Sequence, residues 1–118
     1  MYIHLLYLYV VAPDLKTNMR NPKTPEKKYP ISELISKRWS VRSFADKTIS
    51  EETLDHLFEA TSWAASSMNE QPWKFLYAHK GTAGFDKMAN CLMGGNKVWA
   101  ENGAVLILAL AKKNFASC

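Results

Sequence analysis

In the run KRWSVRS at 37–43, Arg38, Ser40 and Arg42 alternate at i, i+2 and i+4. On an extended segment such residues face one way. Two guanidiniums and a hydroxyl on one side suit a phosphate, because each guanidinium offers a fixed fork of donors and never loses its charge. The same string also fits a solvated surface or a kinase-type site, and alone it does not choose between them. A second run, AASSMNEQPW at 64–73, gathers Ser66, Ser67, Asn69 and Gln71. Their hydroxyls and amides both donate and accept. A planar heterocycle with alternating N–H and C=O groups, such as a flavin or a base, requires that mixture. A polar loop whose Asn and Ser side chains bond their own backbone has the same composition. Trp63 and Trp73 read as core anchors ahead of stacking partners.

Positioning these clusters falls to a small set of elements. Ile31, Leu34 and Ile35 at i, i+3 and i+4 predict a short amphipathic helix ending in Lys37 and Arg38, where cations suit the negative end of the helix dipole. Ser50 is a helix cap, Glu51 and Glu52 occupy the first turn, and Ile49 can staple onto Leu54. Leu54, Leu57, Phe58 and Thr61 share one face, so a helix is expected over residues 50–64. After Pro72, Trp73, Phe75 and Tyr77 alternate with Lys74, Leu76 and Ala78, the pattern of a strand. Phe85, Met88, Ala89, Leu92 and Met93 fall at helical spacing, and Gly94 with Gly95 is expected to close that helix. A further turn or two carries Val98 and Trp99 and stops at Asn102 and Gly103. The run AVLILALA at 104–111 reads as a strand buried on both faces. Two strands cannot hide such a segment. Either the chain is a piece of a larger domain, or a partner completes the sheet.

Of the 118 residues, 47% are hydrophobic and 22% charged, values of an ordinary globular chain that exclude wholesale disorder, collagen-like repeats and a multi-pass membrane protein. Cys91 and Cys118 make no disulfide framework, and with His4, His56 and His79 scattered they make no zinc site, so a reducing, cytoplasmic setting is expected. The net charge of +4 is concentrated. Residues 16–42 hold eight Lys and Arg against Glu26 and Glu33. So local an excess suits an anionic ligand better than general nucleic-acid affinity, although a solvated basic leader is the plainer account of Lys16 to Lys28. The opening MYIHLLYLYVVA is too short to span a bilayer and lacks the basic start of a signal peptide. It suits a strand, or an extension ahead of a start at Met19. Residues 1–30 therefore read as a leader and 31–118 as the domain.

Taken together and in this order, ISKRWSVRSF at 35–44 and ISEETLDHLFEATSWAASSMNEQPWKF at 49–75 resemble the nitroreductase family of flavin enzymes. The resemblance extends over residues 31–111, with AENGAVLILALA similar to the strand after the family's middle helices. Ala65 stands where the family usually shows Pro. The family also continues well past this length, with a loop near the flavin N5 edge and late basic residues for the phosphate. What the resemblance implies is an α+β fold, a three-layer α-β-α sandwich with a mostly antiparallel sheet, here truncated after its second strand. It implies FMN at a homodimer interface, NAD(P)H as electron donor, and a nitroaromatic, quinone or similar small-molecule acceptor. Arg38 and Ser40 would contact the FMN phosphate, and Arg42 the N1/O2 edge of the ring. Asn69 and Gln71 would bond the pyrimidine portion or the ribityl chain, while Ser66 and Ser67 line the adjoining loop. The cofactor does the chemistry, so no protein nucleophile, acid–base residue or metal is expected.

Two other classes stand beside the enzyme. One is a non-catalytic fragment acting at most as a flavin-binding or dimerising module. The other is a small basic nucleic-acid binder, which has the basic segment behind it but no recognition helix or aromatic stacking module. Neither a nucleic-acid nor a membrane partner is expected.

Overall fold

The computed structural model describes residues 28–38 and 42–114. Ser40, the leader through residue 27 and the last four residues lie outside them. Among the described residues four helices and two strands follow the pattern of apolar positions: α1 Glu33–Lys37, α2 Glu51–Ser62, β1 Trp73–His79, α3 Ala83–Asn90, α4 Gly94–Ala100 and β2 Val105–Ala111, with a single 3-10 turn, Ser67–Asn69, between α2 and β1.

β1 and β2 pair antiparallel, with Trp73 opposite Ala111 and His79 opposite Val105. Backbone bonds from Lys80 N to the Ala104 carbonyl at 2.8 Å and from Lys112 N to the Pro72 carbonyl at 2.7 Å extend the ladder at both ends. Successive side chains take opposite faces, so each face acquires its own cluster. Ile49, Leu54, Val105 and Ile107 are buried together, with Leu57, Phe58 and Phe75 packed against them. Phe85, Ala89, Ala100 and Leu106 form the second cluster, joined by Ala78, Met88, Leu92 and Trp99. Helix, sheet and helix thus make three layers, the α+β arrangement expected.

Why α2 begins where it does is local chemistry. The Ser50 hydroxyl accepts from Thr53 N at 3.2 Å, and Ile49 and Leu54 meet in the first cluster as a staple. Thr82 caps α3 in the same way, accepting from Phe85 N at 3.2 Å. Between β1 and α3 the chain reverses at Gly81, whose φ of +85° a residue with a Cβ would adopt only with strain.

Four expectations need correction. α3 stops at Asn90, and Gly94 and Gly95 open α4 instead of closing α3. Cys91 N and Leu92 N turn back to the Met88 and Ala89 carbonyls, so Leu92 reaches the core from the turn, while Met93 is exposed. Trp63 is no core anchor: it is 84% exposed. It follows Thr61 by two residues, about 200° around the helix from the face that α2 buries. The apolar face of α1 is exposed as well, with Leu34 at 86%. Finally, β2 is buried on both faces only over Val105, Leu106 and Ile107; Leu108, Ala109 and Leu110 are half-buried.

Candidate functional site

The second cluster is a tight loop between the end of α2 and the start of β1. Three of its residues are left-handed, Met68 at φ 51°, Asn69 at 54° and Gln71 at 45°. Asn accepts that conformation readily, whereas for Met and Gln it costs on the order of 1–3 kcal/mol each. A set of short bonds offsets the strain. Asn69 N and Glu70 N donate to the Ser66 and Ser67 carbonyls, both at 3.1 Å. Gln71 N donates to the Ser66 hydroxyl at 3.1 Å, and Gln71 Nε2 to the Ser62 carbonyl at 3.0 Å and, more weakly, to Asn69 Oδ1 at 3.4 Å.

The structure therefore brings Ser66, Asn69 and Gln71 into one bonded unit, with Ser67 in the same turn. Their remaining polar capacity is solvent-exposed. Among the described residues the Gln71 Oε1 acceptor and the Asn69 Nδ2 donors have no partner, and the Ser66 hydroxyl, having accepted from Gln71, keeps its proton to give. That is a donor and acceptor edge of the kind a heterocycle needs. Two large apolar side chains close to it along the chain, Trp63 at the end of α2 and Met68 within the turn, are exposed, the latter at 81%. Neither was read from the sequence as part of this surface; the left-handed φ at Met68 leaves no sequence signal.

Arg38 and Arg42 are exposed, and neither guanidinium has a hydrogen-bond or ion-pair partner among the described residues. Arg38 is extended, with φ −70° and ψ 132°. Residues 39–41, and with them Ser40, lie outside the described residues. Two positions past Arg42, Phe44 stacks on Trp99 of α4, centroids 6.5 Å apart, which ties this segment to the third layer. No bond joins either arginine to the 66–71 loop among the described residues.

A second polar group, which the sequence reading missed, sits at the opposite end of the same two elements. Tyr77 donates to Glu51 Oε2 at 2.9 Å, and His79 Nε2 meets Glu51 Oε1 at 2.8 Å. Hydrogen bonds from Tyr77 and then His79 hold the Glu51 carboxyl below its ordinary value, while the bond it gives to Glu51 pushes the Tyr77 phenol up. Among the described residues no three His, Cys, Asp or Glu side chains gather as a metal set, and no helix is long and apolar enough to cross a membrane.

Against known proteins, the model of the nitroreductase family matches residues 35–115. A protein of Archaeoglobus fulgidus described as "Putative NADH dehydrogenase/NAD(P)H nitroreductase" is 29% identical over 76 residues, which are 64% of this chain and 43% of that protein. A crystal structure described as an "oxidoreductase containing FMN" superposes with a TM-score of 0.71 at 36% identity, covering 79% of this chain and 47% of the other. The chain thus spans less than half the length of each.

Proposed function

The chain belongs to the nitroreductase family, and from that premise we propose that it binds FMN and serves an oxidoreductase that passes electrons from NAD(P)H to an electron-poor small molecule, a nitroaromatic or a quinone. Bound FMN supplies the hydride and electron chemistry. The residues of this chain bind and orient. Arg38 and Ser40 hold the phosphate, for which a forked, permanent cation is the best partner. Arg42 stands at the N1/O2 edge, where a positive charge favours the reduced ring. Asn69 and Gln71 bond the pyrimidine portion or the ribityl chain, and Ser66 and Ser67 line the loop. On this reading the domain starts at Ile31 after a leader, works in the cytoplasm, and pairs with a second copy across the cofactor.

The 66–71 loop carries the proposal. Its backbone is strained and bonded into one shape, and that shape leaves an exposed amide acceptor, amide donors and a hydroxyl donor side by side. A loop with no ligand to meet could satisfy its polar groups on itself without three left-handed residues. The test is titration with FMN of the unaltered chain and of the Arg42→Ala protein. Losing one charge-assisted hydrogen bond should weaken binding by about 1.5–3 kcal/mol, more than about tenfold. Equal affinity in the two proteins overturns the placement of Arg42, and no binding to either overturns the flavin reading.

A further inference from the structure

α2 and β1 are joined twice. At one end the 66–71 loop connects them through the chain, and Gln71 Nε2 holds the last carbonyl of α2, that of Ser62. At the other end Glu51, the first residue of α2, takes one bond on each carboxylate oxygen from Tyr77 and His79 near the end of β1. Tyr77 and His79 are two apart and share a face, their rings edge to face at 5.9 Å. Between the two ends Phe58 lies against both Phe75 and Tyr77, each at 5.5 Å, so the helix is seated along the strand.

We infer that Glu51, Tyr77 and His79 form a clasp that positions the 66–71 loop from the far end of α2, about 18 Å away for a helix of twelve residues; its consequence for FMN rests on the flavin reading above. The loop's three left-handed residues persist only while Ser62 and Pro72 keep their spacing, because Gln71 bonds the one and precedes the other. A helix free to slide or tilt on the strand would open the Gln71 to Ser62 bond and let the strained backbone relax. The clasp prevents that motion at the longest lever arm from the loop. These are positioning residues. Asp55, one turn along α2, also faces Tyr77. From β2 the residues in register are Ile107 and Val105, both uncharged, so the clasp is governed by Glu51, Asp55, Tyr77 and His79.

Hydrogen exchange on the 118-residue chain tests this without any ligand. In the Glu51→Ala and Tyr77→Phe proteins the Asn69, Glu70 and Gln71 amides should exchange about two- to fivefold faster, the scale of an exposed charged pair, while α3 amides keep their rates. Acidification of the unaltered chain should speed the same loop amides beyond their intrinsic change, a step absent from the Glu51→Ala protein. Unchanged loop amides overturn the inference. So does equal acceleration in α3, which marks a general loss of stability. FMN titration separates the two readings: a chain that binds no FMN overturns the flavin reading while exchange still decides the clasp, and loop amides that open with FMN affinity unchanged overturn the clasp's part in binding.

Discussion

At Asn69 the backbone conformation and the side chain make separate demands. Its φ of 54° favours Asn or Gly, while its amide accepts from Gln71 and leaves two donors exposed. Asn69→Gly should therefore leave stability within about 0.5 kcal/mol and still weaken FMN. Asn69→Ala should lower stability by about 1–2 kcal/mol, the cost of the left-handed region to a residue with no short polar side chain to bond locally, and weaken FMN too. Urea unfolding beside FMN titration separates the two effects; an Asn69→Gly protein with full FMN affinity would show that the amide does not touch the cofactor. The residue types of this cluster were legible in the sequence, because Ser, Asn and Gln advertise their donors and acceptors by name. Its shape was not. Nothing in the letters of Met68 or Gln71 announces a positive φ, which the closing bonds to Ser62 and Ser66 impose from nine and five residues away. The same limit hid the Glu51 group: Glu51 reads as a first-turn acid, and its partners lie 26 and 28 residues along the chain.

For the elements, α2 is the one that the sequence described most fully, since cap, staple and apolar spacing are all local. Leu54 is its only fully buried side chain, and Leu54→Ala should cost about 2–5 kcal/mol in urea unfolding, against about 1 kcal/mol for Ser50→Ala, which removes only the cap. Comparable losses in the two would mean that the staple and first cluster carry little of the helix's stability. Where α3 ends was misread because Leu92 serves the core from a turn, and spacing cannot distinguish that from one more turn of helix. The clasp gives α2 and β1 a pH dependence with opposite signs at the two extremes. Glu51 titrates below its ordinary 4.5 in the folded chain, so its contribution is present above that range and is lost as pH falls through the folded value. Tyr77 titrates above its ordinary 10.0, so its contribution is present below that range and is lost as pH rises through the folded value. Thermal unfolding should show both flanks, and Tyr77→Phe should flatten the alkaline one. An alkaline flank unchanged by that substitution removes the phenol from the account.

Across the whole molecule, the unequal covering of the sheet is the feature with the largest consequence. On the α2 side Val105 and Ile107 are buried and Phe75 packs against them, but on the opposite side α3 and α4 reach only the Ala78 and Leu106 end. Beyond it Leu76 is 55% exposed, opposite a half-buried Leu108, and Leu110 sits across from Lys74. The sequence run AVLILALA announced a strand apolar on both faces; it could not say which half would be covered, because α3 meets it through residues some twenty positions earlier. Leu76 and its neighbours are where the proposed second copy, or any other apolar surface, gains most by covering the strand. The chain should therefore elute as a dimer or larger at about 10 μM, where a partner with micromolar affinity, about −8 kcal/mol, is mostly bound. Leu76→Lys places a charge beside Lys74 on that surface and should shift elution toward the monomer. Far-ultraviolet circular dichroism should not change, because Leu76 belongs to neither buried cluster. Monomeric elution of the unaltered chain at that concentration would mean that this side of the sheet is tolerated bare, and would remove the support it lends to a homodimer.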